Sequence, residues 1–159
     1  MVTQSDNDEW AFLLHRLPRE PSAPRISLWR AVRRLGAVLV ADGLVALPAS
    51  SRTVEHFEWL AAGIRENGGE ASVWRARPTT RRDADRLVRQ SRESAEDEYR
   101  ALMDEALAKA LDPGADSTRA VRRLRRQLHA VSTRDFFNAP SASKAREAVE
   151  SLSRAKVPA

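Results

Sequence analysis

The sequence predicts an α+β protein. A first domain, residues 1–79, runs β-α-β-β-α-β, and an all-α helical hairpin extension, 80–159, follows it. Three observations carry this. Short apolar or alternating runs bounded by turn residues recur as far as Arg77; two segments with a 3.6-residue apolar period stand between them; and past Pro78 strand formers give way to a long stretch of helix formers.

Residues 10–17 (WAFLLHRL) form the short apolar run of a buried strand, closed by Pro18. Pro18, Pro21 and Pro24 make a loop, and Pro24 suits a helix's first turn because its missing N–H is not needed there. From Arg25 to Leu35, Leu28, Trp29, Val32 and Leu35 recur at helical spacing, with Arg30, Arg33 and Arg34 on the other face and Gly36 as the stop. AVLVA and LVALPA flank Asp42-Gly43, which predicts a hairpin over 37–48 with φ > 0 at both turn positions. A second helix puts Phe57, Leu60, Ala61 and Ile64 on one stripe and ends at Asn67-Gly68-Gly69. Residues 71–77 alternate as a last strand. This order is the ferredoxin-like arrangement, an antiparallel sheet with both helices on one face. Trp10, Trp29, Trp59 and Trp74 fall one per element, and core packing is the expected role of most of them.

In the extension, Thr80 with Asp83 is a capping-box pattern, and an apolar stripe from Ala84 through Tyr99 to Ala106 predicts a long helix over 80–111. Asp112-Pro113-Gly114 breaks it. A basic helix over 117–133 returns, Phe136-Phe137 anchors the chain, and a short helix is expected over 141–155.

Composition bounds the function. The chain has 159 residues, 42% hydrophobic and 31% charged, enough to bury a core without staples. It has no cysteine, which excludes disulfides, thiolate metal sites and thiol redox chemistry and fits a cytoplasmic location. No stretch approaches a membrane span, and the acidic start MVTQSDNDE argues against a signal peptide. The net charge of +5 is concentrated: residues 117–134 carry six arginines and no acid. Arg119, Arg122, Arg123, Arg125 and Arg126 leave only Val121, Leu124, Leu128 and Val131 to pack. Two readings stay open. The arginines pair with Glu93, Glu96, Asp97 and Glu98 on the preceding helix, or their planar forks contact DNA phosphates. Arg30, Arg33 and Arg34 extend the same DNA-binding patch if the hairpin folds alongside. Arg16, Arg19 and Arg25 bracket the prolyl loop at a helix N-terminus, either as the rim of a rigid turn or as an oxyanion site.

Catalytic chemistry finds no parts. The three histidines lie on different elements, there is no phosphate-cradling glycine motif and no G-x-S-x-G, and Asp42 is explained as a turn residue. No metal, cofactor or catalytic residue is expected, and redox chemistry by the chain is not expected either.

The wording LPREPSAPR, GAVLVADGLVALPAS and EHFEWLAAGIRENGGEA, with a looser match around Arg134-Asp135-Phe136-Phe137, resembles the N-terminal domain family of ChrB, the regulators of bacterial chromate-resistance operons. More distantly the first domain is similar to PaaX-type repressors and to the small CRISPR-associated integration subunit. The resemblance implies a chromate-responsive transcriptional regulator that binds promoter DNA and responds to chromate or a related oxyanion. A DNA-reading helix is not supplied by the PaaX-type winged helix, and must come from the arginine-rich elements. Longer family members carry a further C-terminal domain; a separate protein supplying it is the corresponding expectation. The alternative is a non-enzymatic dimeric scaffold or accessory protein in chromate resistance, acting through protein contacts. A homodimer is expected in either case, because an open sheet leaves edges and the long helix carries an apolar stripe.

Overall fold

A computed structural model of the chain describes residues 9–112 and 117–154. It is α+β, with a four-stranded antiparallel sheet and five helices among the described residues. The elements are β1 (Trp10–Arg16), α1 (Ala23–Leu35), β2 (Val38–Ala41), β3 (Leu44–Pro48), α2 (Ser51–Glu66), β4 (Glu70–Ala76), α3 (Arg81–Leu111), α4 (Ser117–Ser132) and α5 (Ala142–Arg154). Pro113-Gly114 of the expected helix break lies outside the described residues. The chain divides into two compact units, one up to Gln90 and one from Ser91 onward; α3 contributes residues to both.

In the first unit the sheet order is β2-β3-β1-β4. β1 pairs antiparallel with β3 on one edge and β4 on the other, in a register that sets Leu13 opposite Val45 and Val73, and Phe12 opposite Ala46 and Trp74. Residues directly opposite share a face, so Ala11, Leu13, Val45 and Leu47, all buried, make one apolar layer. Leu28 and Val32 of α1 and Phe57, Ala61 and Ile64 of α2 are the buried apolar positions of the two helices, which touch each other. α2 starts on a full capping box: Ser50 Oγ accepts from the Thr53 amide, and Thr53 Oγ1 accepts from the Ser50 amide at 2.9 Å. The Thr53 hydroxyl also donates to the Pro48 carbonyl at 2.7 Å, tying the end of β3 to the helix start.

Two expectations need correcting here. The Asp42-Gly43 turn has φ > 0 only at Gly43, +72°. A register shift between Leu39 and Ala41 supplies the rest of the chain reversal, so a bulge replaces the second left-handed residue. The tryptophans are mostly not core. Trp10 is fully buried, whereas Trp29, Trp59 and Trp74 are 49%, 74% and 60% exposed. On α1 the buried i,i+4 pair Leu28 and Val32 takes the inner face, which leaves Trp29 on a flank.

The second unit has its own core, built from Ala95, Tyr99, Leu102 and Ala106 of α3, Val121, Leu124 and Val131 of α4, and Ala145, Val149 and Leu152 of α5. The α3 stripe that suggested an exposed dimer surface is thus covered within the chain from Ala95 to Ala106. At the start of α3 the Asp83 amide donates to Thr80 Oγ1 at 3.1 Å.

Two glycines should respond oppositely to alanine. At Gly43 a Cβ would stand 2.5 Å from the His15 carbonyl oxygen on a left-handed backbone, so Gly43→Ala should cost about 1–3 kcal/mol in urea unfolding. Gly63, inside α2 with nothing within 4 Å of its Cβ position, should gain about 0.5–1 kcal/mol from the same change.

Candidate functional site

The residues singled out for binding fall into two groups, one in each unit. In the first, Arg25, Trp29 and Arg33 recur every four residues and so run along one flank of α1, with Ile26 and Arg30 beside them. This flank faces a cleft of about 1020 Å³ whose other wall is His15, Leu39 and the Asp42-Gly43 turn. Leu39 is 48% and Ile26 49% exposed, so the floor is an open apolar surface edged by guanidinium groups. Ser22, at the N-cap of α1, also lines the cleft and makes no side-chain cap hydrogen bond. Burial of His15 lowers its pKa, so the ring is neutral at pH 7.

Of the three arginines expected around the prolyl loop, two border this cleft and one does not. Arg16 sits opposite Glu70 in the sheet register and donates to its carboxylate at 2.8 Å. Arg25 Nη1 donates to the Arg19 carbonyl at 3.5 Å. Arg16 and Arg25 border the cleft and Arg19 does not; of the three α1 arginines expected to meet DNA, Arg30 and Arg33 border it and Arg34 does not. Trp29, Ile26 and Leu39 were missed as site residues. The Arg-x₃-Trp-x₃-Arg spacing from Arg25 carries the signal for Trp29, which a helical period alone assigns equally well to the core.

In the second unit α4 sorts its arginines by position. Its inner face is Ala120, Val121, Leu124 and Val131, all buried. Arg123, on one shoulder of that stripe, bonds Glu105 of α3. Arg125, on the other shoulder, donates to Ser153 Oγ at 2.7 Å and to Glu150 of α5 at 3.3 Å. Arg119, Arg122 and Arg126 lie on the outward face, all exposed. Among the described residues Arg122 and Arg126 have no carboxylate partner. Charge pairing with α3 is therefore real but uses other residues than those expected. Glu98 pairs with Arg134, beyond α4, and Glu96 turns to α5.

Glu96 and Tyr99 hold the frame that presents α4. The Glu96 carboxylate accepts from the Ser141 amide at 2.9 Å and its hydroxyl at 2.6 Å, at the start of α5. Those two bonds first, then the Arg100 guanidinium, hold the Glu96 pKa below the ordinary carboxylate value. The Tyr99 hydroxyl donates to Asp135 Oδ2 at 3.2 Å; burial, then the Asp135 charge, pushes its pKa up to about 12. Asp135 also accepts from the Ala139 amide, at 3.0 and 3.1 Å, and so pins the α4-α5 connection to α3.

The two shifts act at opposite ends of the pH scale. A depressed carboxylate pKa stabilises the fold above the ordinary value of 4.5, and that contribution should fade as pH falls below it. Glu96→Gln should lower the thermal midpoint at pH 7 and flatten this acid limb. A raised tyrosine pKa contributes below 10 and is lost as pH rises toward about 12. Tyr99→Phe should cost about 1 kcal/mol at pH 7 and flatten the alkaline limb in circular dichroism melts.

Comparison with known proteins comes down to one family. Residues 25–110, from α1 to the end of α3, match the family described as Protein ChrB, N-terminal. The chain is similar to Protein ChrB of Cupriavidus metallidurans, 28% identical over 159 residues, covering 91% of this chain and 45% of that relative. It thus spans about half the length of the curated relative it matches. No solved structure matches it. The family match extends over more than half of the sequence and takes in both helices and the hairpin of the first unit, so the chain belongs to the ChrB N-terminal family.

Proposed function

We propose that the chain is a chromate-responsive transcriptional regulator of a chromate-resistance operon that binds promoter DNA, with α4 supplying phosphate contacts. The observation that carries this reading is the division of labour on α4. Arg123 and Arg125 are engaged by neighbouring helices, and Arg122 and Arg126 stand outward four residues apart without a carboxylate partner among the described residues. Two cations held on a fixed helical face are suited to the regularly spaced phosphates of a duplex, which fix position and carry no sequence information. Sequence choice then resides in other residues, and the chain has no catalytic step of its own.

Family membership supports the role in chromate resistance. The β-α-β-β-α-β order, with β1 central and antiparallel to β3 and β4, supports assigning the first unit to the ferredoxin-like class. The edges of β2 and β4 favour a dimer formed through the sheet. A second reading, a scaffold acting through protein contacts, draws on the Arg123–Glu105 and Arg125–Glu150 pairs, which show that part of the positive charge serves the fold.

Salt dependence separates the two. Arg122→Ala with Arg126→Ala should weaken binding to specific and random duplexes by similar factors and reduce the slope of log affinity against log salt by about 2, as fluorescence anisotropy reads it, with the circular dichroism spectrum unchanged. Unchanged affinity and slope would remove α4 from the DNA interface and leave the scaffold reading. By contrast Arg125→Ala should act on stability, by about 0.5–1 kcal/mol, since it loses Glu150 and Ser153 together.

A further inference from the structure

The geometry points to the cleft between α1 and the β2-β3 turn as a binding site for a small organic anion with an aromatic or apolar body. Three features of the first unit meet there. The first is charge: Arg25, Arg30 and Arg33 line one wall, none with a carboxylate partner among the described residues, while a single acid, Asp42, lines the other. The second is exposed apolar surface in the same place. Trp29 and Ile26 on α1 and Leu39 on the edge strand β2 line the same cleft, each about half exposed, and such grouping of apolar surface marks a binding groove where single exposed residues do not. The third is size. At about 1020 Å³ the space is at the upper end of that of small-molecule sites and far larger than a tetrahedral oxyanion needs.

The arrangement selects for both properties at once. Trp29 lies between Arg25 and Arg33 on one helical stripe, so a ring laid on the indole has a guanidinium at either end. A carboxylate, sulfonate or phosphate on that ring meets an arginine fork, and its apolar part covers Ile26 and Leu39. Ser22, whose side chain makes no cap hydrogen bond, adds a hydroxyl donor at the end nearest Arg25. His15, whose pKa burial lowers, lines the wall opposite α1. A bare oxyanion satisfies the arginines and leaves the apolar wall wet; a neutral aromatic does the reverse. This site is independent of the DNA contacts proposed for α4.

The test uses the full chain labelled with ¹⁵N and three probes: 8-anilinonaphthalene-1-sulfonate, which has both properties, N-phenyl-1-naphthylamine, which lacks the charge, and inorganic sulfate, which lacks the body. The four indole N–H signals are assigned with Trp-to-Phe variants. The sulfonate should shift the Trp29 signal saturably and with a single site. The exposed Trp59 and Trp74 should stay in place, as internal controls for nonspecific adhesion. Arg25→Gln with Arg33→Gln, both at exposed positions, should weaken the sulfonate about tenfold or more, and Leu39→Glu should do so by removing the apolar wall and adding a like charge; Arg122→Ala with Arg126→Ala should change nothing. The proposal is overturned if Trp59 and Trp74 shift with Trp29, if sulfate displaces the sulfonate at equal concentration, if the neutral amine binds as tightly, or if the arginine and Leu39 variants bind as the parent does.

Discussion

β1 is hydrogen-bonded along both of its edges, to β3 and to β4, and the rest of the first unit is arranged around that position. Its first half is also covered on both faces, since the successive residues Trp10 and Ala11 point to opposite faces and both are fully excluded from water, which is why WAFLLHR is nearly continuous in apolar residues. The C-terminal end of the strand is where burial relaxes. There His15 takes the Gly43 carbonyl through its amide at 2.7 Å, holding the β2-β3 turn beside β1. The cleft opens at this relaxed end, so its wall is hydrogen-bonded to the central strand while its surface stays accessible.

The charge of α4 is likewise a consequence of packing. A helix that buries Leu124 between α3 and α5 has two shoulders, each close enough to a neighbouring helix to reach a carboxylate, and one outward face that reaches none of those carboxylates. Arginine on a shoulder covers apolar surface with its stem and ends in an ion pair. At Arg122 and Arg126 on the outward face it has no carboxylate partner among the described residues and remains a solvated cation. Composition cannot distinguish the two, although they differ in what they do: the shoulder residues hold the helix, and the outward ones set its surface potential.

Much of this was legible in the sequence, because the signals were local. The hairpin at Asp42-Gly43, the helix stop at Asn67-Gly68 and the capping residue Thr80 are each read from a few neighbouring residues, and the structure has elements ending where those residues stand. What could not be read was the outcome of competition between residues for the same face. Trp29, adjacent to Leu28 on α1, satisfies a helical period as well as any core residue, and only the third dimension shows that Leu28 and Val32 occupy the inner face. The partners of Arg123 and Arg125 depended on the rotation of α4 about its axis and on α5, and a linear pattern carries neither. The same is true of Glu96, an ordinary surface acid in sequence that proves to cap the start of another helix 45 residues away.

The two glycines that follow α2 differ in what they forbid. Gly68 takes φ +76° with open space around it, so the obstacle to a side chain there is backbone preference, a soft and graded penalty. At Gly69 the obstacle is volume: a Cβ would stand 2.5 Å from the Arg16 carbonyl oxygen, 2.7 Å from Ile64 and 2.9 Å from Leu17. The backbone at the end of β1 and the side chains of Ile64 and Leu17 close on the step into β4 there, like tiles laid without grout. Mutational drift can therefore be absorbed at the first glycine by neighbouring torsions, whereas at the second it has to be absorbed by separating elements that share the sheet. A substitution map of this family would show a tolerant site and a nearly frozen one side by side, occupied by the same amino acid.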